Sequence, residues 1–116
     1  MRKSFVIIIF ANAVFISALS QNVDSLKKVL PLLHDSARVD CLNELSRNYL
    51  GLNIDTAAYY ATLAYNESVK SNYIHGIAES LLNKGNIEDQ YDNFPAEEKL
   101  CHEAVNWYRK TSNKKK

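Results

Sequence analysis

The chain has 116 residues, 14 Lys and Arg against 13 Asp and Glu, three glycines and two prolines. That length holds one domain or a few stacked helical repeats, and the near-neutral charge excludes the strongly basic balance of a nucleic-acid binder. So few glycines and prolines exclude a disordered linker between domains.

Residues 1–20 read as a secretory signal. Met1-Arg2-Lys3 is a short basic start, an apolar run follows from Phe5 to Leu19, and Ala18-x-Ser20 sets small residues where a signal peptidase cuts, between Ser20 and Gln21. The alternative is a retained membrane anchor. The run of about 15 residues, interrupted by Asn12, falls short of the roughly 20 apolar residues that span a bilayer. The expectation is an exported, periplasmic protein that meets a membrane only if this segment is retained. Loss of Arg2 and Lys3 takes the formal charge from +1 to about −1 (+1 − 2).

Beyond the signal, helix follows helix. A leading helix unit occupies 21–34, its short helical segment running from Ser25 to Leu33 with Asp24 as cap and a weak point at Pro31. Asp35 caps the next, which runs to about Leu50 with Ala37, Cys41, Leu42, Leu45 and Tyr49 on one face, and Gly51 ends it. Asp55 caps a third, to about Ser71, with Ala57, Tyr60, Ala61 and Ala64 at helical spacing. A fourth carries Ile74, Ile77, Ala78, Leu81, Leu82 and Gly85 and ends near Gln90. Pro95 opens a fifth, whose stripe is Leu100, Cys101, Ala104, Trp107 and Tyr108. Residues 112–116 form a basic tail, read as solvated. No stretch alternates as a strand does, so the fold class is all-α, with antiparallel helix pairs over 35–73 and 74–111 stacked as a short α-solenoid.

An internal repeat supports the pairing. A shift of 40 residues aligns Leu42-Asn43 with Leu82-Asn83, Ile54 with Phe94, Ala64 with Ala104, Asn66 with Asn106 and Lys70 with Lys110. A helix pair of this kind cannot cover its own apolar face, so copies stack.

These residues resemble the tetratricopeptide repeat family over roughly 36–111. The second unit fits with Leu81, Gly85, Phe94 and Ala104, and the first with Tyr49, Ile54, Ala57, Ala61 and Ala64. Leu45 stands where the family has glycine, Glu88 where it has an aromatic and Glu97 where it has alanine. The shift exceeds the family's usual 34 residues, which a longer turn after Lys70 would explain. The resemblance implies repeat packing by Tyr49, Ala57, Ala61, Ala64, Leu81, Gly85, Phe94 and Ala104. Further, DSLKKVL, DSARVDCLNELS and NIDTAAYYATLAYNES look like the exported repeat region that opens certain Bacteroidetes sensor histidine kinases and regulators. That likeness implies an alternative reading as the sensory input region of a two-component receptor.

No catalytic set emerges. His75 and Glu79 sit one helical turn apart without a third metal ligand. Cys101 and His102 are adjacent, so their side chains diverge on a helix, and a triad needs more. Asn66-Glu67-Ser68 fits a glycosylation site but falls mid-helix, and Asp89, Asp92 and Asn93 lack calcium-loop spacing. No cofactor and no metal are expected. Cys41 and Cys101 could form a disulfide in an exported protein, but both lie among apolar neighbours, which favours two buried thiols. The reading is a non-catalytic interaction module that binds a protein or peptide partner on its concave face, with self-association as a further outcome and no nucleic acid. Asn43, Ser46 and Arg47 of the first unit and Asn83 and Asn86 of the second form the expected docking row. Loss of Asn43 and Asn83 should then leave stability unchanged.

Overall fold

The computed structural model describes residues 23–114, so the signal segment and the last two lysines lie outside the described residues. Within them are five α-helices and no strand: α1 (Val23–Val29), α2 (Asp35–Tyr49), α3 (Ile54–Lys70), α4 (Ile74–Gln90) and α5 (Phe94–Lys114), with a 3-10 turn at Leu30–Leu32. The molecule is all-helical, its helices packed in neighbouring pairs as a short solenoid-like stack. Pro31 sits at the start of the 3-10 turn, where its missing N–H costs nothing. What the sequence presents as a tail is helical through Lys114.

Helices α3, α4 and α5 start at positions 54, 74 and 94, a step of 20 residues that doubles to the 40-residue repeat. The long repeat therefore comes from helices of 17 residues in α3 and α4, not from a longer turn after Lys70, because residues 71–73 and 91–93 make turns of equal length. Both turns close the same way. Asn72 and Asp92 adopt the left-handed conformation, at φ 57° and 60°. Tyr73 N–H then donates to Ser68 carbonyl O at 2.8 Å, and Asn93 N–H to Glu88 carbonyl O at 2.9 Å. This is the six-to-one bond of a Schellman cap, with Asn and Asp in the place usually held by glycine because their short polar side chains tolerate that region.

Caps differ from the sequence expectation at three helices. Asp24 lies inside the first turn of α1 rather than before it. Asp35 is the first residue of α2, at φ 54°, while His34 takes the cap position without a side-chain bond. For α3 the cap is Asn53, whose side chain accepts from Thr56 N–H at 3.0 Å, and Asp55 follows as the acid of the first turn. There a carboxylate meets the positive end of the helix dipole without capping it.

The core is built around small residues. Ala57, Ala61, Ala64 and Ala104 are wholly buried, with Val39, Leu42, Leu45, Ile77, Leu81 and Ile87 filling the space about them. Ala57 and Ala61 pack with Ile87, half-buried Tyr49 and Ile54 at their edge, and Ala104 packs with Ile77 and Leu81. Phe94 departs from its expected packing role. It is 55 % exposed, because no described helix follows α5 to cover it as α4 covers Ile54. Ala37 is exposed as well, one turn from the start of α2. Both cysteines are free: Cys41 is buried against α1, its thiol directed at Leu26 carbonyl O, and Cys101 is half-buried.

Two glycines mark close approaches and one does not. A Cβ on Gly76 would stand 2.6 Å from both Tyr73 Cδ2 and Val39 Cγ1, and on Gly85 3.1 Å from Cys101 Sγ. On Gly51 it would meet nothing within 4 Å, and the residue does not have positive φ. Gly51 thus follows the end of α2 without being required by it. Urea unfolding should find Gly76→Ala destabilised by about 1–3 kcal/mol through overpacking, and Gly51→Ala unchanged or up to about 1 kcal/mol more stable.

Candidate docking surfaces

Helix α4 packs on α3 and also touches α2, whereas α3 and α5 share no comparable contact. So α2 and α4 lie side by side on the inner surface of the stack, where the expected docking row falls. Three of its members do not face outward. Asn43 and Ser46 are wholly buried and Asn83 is 4 % exposed. Asn83 Nδ2 donates to Asn43 Oδ1 at 2.9 Å and to Asn43 carbonyl O at 3.2 Å, while Asn43 Nδ2 donates to Gly76 carbonyl O at 3.4 Å. Ser46 Oγ donates to Ala57 carbonyl O at 2.8 Å. The two amides, 40 residues apart, join the equivalent helices of successive pairs. This corrects the sequence reading: the repeated polar residues hold the stack together and do not await a ligand.

The reason is general. A polar side chain at a helix position that meets another helix is tolerated when every buried group finds a partner. Removal of one partner strands the other. Asn83→Ala or Asn43→Ala should therefore lower stability by about 1–3 kcal/mol each, and the double variant by less than the sum, measured by urea unfolding.

Arg47 and Asn86 are exposed. The Arg47 guanidinium lies between Glu44 on its own helix and Glu79 on α4. Burial acts to lower its pKa, but the two carboxylates together outweigh burial and move it upward. A ligand carboxylate at Arg47 would share the guanidinium with both of them. Glu79 also lies 3.5 Å from His75 Nε2, and the His75 ring stands edge-on to Tyr108. Among the described residues no three His, Cys, Asp or Glu side chains gather as a metal site. Cys101 is turned toward Gly85, and burial first, then Glu97, pushes its thiol up, away from the thiolate a nucleophile needs.

Polar links also tie the helix ends. Arg38 forms a fork on Glu67, with Nε to Oε1 at 2.8 Å and Nη2 to Oε2 at 3.1 Å, which pins α2 to α3. Tyr91 O–H donates to Asp55 at 3.2 Å, and Tyr73 O–H to Asp40 at 2.9 Å. Burial, and next the bond to Asp40, push the Tyr73 phenol from 10 up to about 12. Folding thus favours its protonated form. That contribution is complete below the unfolded value near 10 and is lost as pH rises through about 12. Stability should fall across pH 10–12, and Tyr73→Phe should flatten part of that fall in unfolding curves taken along the pH series.

The surface missed by sequence reasoning is on α5. Phe94, Glu97, Glu98, Cys101, His102 and Val105 line an open groove of about 470 Å³ along its outer side. Their spacing of three and four residues sets them on one helix face. Phe94 and Val105, 55 % and 45 % exposed, supply its apolar ends. The inner face of α5, with Leu100, Ala104 and Trp107, is occupied by α4. One signal was present in the sequence: the 40-residue shift places Glu97 and Cys101 at the positions of Ala57 and Ala61, which α4 covers in the first pair.

No protein-family model matches the chain, and no curated protein or solved structure matches it.

Proposed function

We propose that this chain is a non-catalytic interaction module of tetratricopeptide-repeat type, exported from the cytoplasm, that binds a protein or peptide partner. The observation that carries the reading is the open stripe on α5. Its positions correspond, one repeat on, to side chains that a neighbouring helix covers in α3. Within a stack each helix carries two apolar faces, one for the helix before it and one for the helix after. A helix with its second face uncovered presents a ready-made protein contact. The inner surface contributes less to this reading than the sequence suggests, because Asn43, Ser46 and Asn83 are used within the fold.

The reading is tested by a photo-crosslinking amino acid placed at Val105 and, as control, at exposed Asn66 on α3. In the cells that make the protein, position 105 should trap a discrete protein and position 66 should not. Equal trapping at both positions, or none at 105, would remove the α5 face as the docking surface.

A further inference from the structure

Resting on that docking reading, we propose that the occupant of the α5 groove is an amphipathic helix of a partner protein, with aliphatic residues along one stripe and Lys or Arg beside it. The first support is register. Ala57 and Ala61 of α3 pack with Ile87 of α4, so inside the molecule these positions receive a helix through a branched aliphatic side chain. Forty residues on stand Glu97 and Cys101, both in the groove wall. The groove therefore repeats the seat of a helix. Its length agrees: from Phe94 to Val105 is about 16 Å at 1.5 Å per residue, three turns of a helix laid alongside.

Charge decides which helix fits. Where α3 has Ala57 and Ala58, the groove has Glu97 and Glu98. A wholly apolar helix seated there would strip water from two carboxylates and give nothing in return, and an acidic helix would add repulsion. A helix with lysine or arginine opposite Glu97 and Glu98 pairs those charges while its aliphatic stripe covers Phe94 and Val105. This is recognition by a helix in a groove, with anchors at i, i+3 or i+4, and i+7.

Three labelled peptides, each spanning three helical turns, test the assignment by fluorescence anisotropy against the purified full chain. One has an aliphatic stripe flanked by lysines, one the same stripe flanked by glutamates, and one the lysine composition with the stripe scrambled. The first should bind at least about tenfold more tightly than either other, since two exposed charge pairs and a buried stripe supply that difference. Glu97→Gln with Glu98→Gln should weaken it about five- to tenfold and flatten its salt dependence, and Val105→Ser should weaken it independently of salt. Equal binding of the glutamate or scrambled peptide, or no effect of the double glutamine variant, overturns the proposal. So does sedimentation that shows a dimer dissolved by Val105→Ser, because a second copy is then the occupant. Should no peptide bind while position 105 still traps a protein, the helix chemistry is wrong and the docking reading stands. Failure of both removes both.

Discussion

The crossing of α3 with its two neighbours governs this molecule. Ala57, Ala61 and Ala64 are wholly buried, so α2 on one side and α4 on the other approach α3 at the distance a methyl group allows. Each alanine buries little area itself. What it permits is the close packing in which Val39, Leu42, Leu45, Ile77 and Ile87 are also buried, each Å² of apolar surface contributing about 25 cal/mol. The same distance sets the reach of Ser46 to Ala57 carbonyl O and of Arg38 to Glu67. A larger side chain at these alanines would move packing and polar links together.

Close approach leaves polar backbone and side-chain groups without water, and the amides answer that constraint. Asn43 and Asn83 satisfy each other and a carbonyl of Gly76 in a space where an apolar pair would leave that carbonyl less well served. The link also fixes register. If α4 slid along α2 by one helical turn, the bonds between the two amides would be lost, a cost that a row of leucines would not impose. At the turns, Asn72 and Asp92 set the helix ends, while Tyr73 and Tyr91 reach back to Asp40 and Asp55 on earlier helices.

The ends of the stack differ. At one end α1 lies on α2, where it brings Leu26 to Cys41 and Lys27 to Tyr49. At the other, among the described residues, the outer face of α5 has no such cover and joins exposed Phe94 and Val105 to Glu97 and Glu98. Apolar side chains and carboxylates thus stand side by side on this face, a pairing that is complemented by area and opposite charge together. The positions at this face are those that, one repeat earlier, build the interior.

Helix number, type and approximate extent were legible along the chain, because apolar residues at a 3.6-residue period report a buried face whatever that face meets. The 40-residue repeat was legible for the same reason, and it located the alanine crossings. Caps were less so: Asp35 and Asp55 fit the cap preference, yet His34 and Asn53 hold those positions, since a cap depends on where the backbone leaves the helix. What only the tertiary structure decided is which way the repeated polar residues turn. Periodicity places Asn43 and Asn83 on equivalent faces but does not say whether that face meets water or another helix. Three-dimensional packing turned them inward and left the α5 stripe outward, because burial is a property of neighbours and those neighbours lie many residues away in the chain.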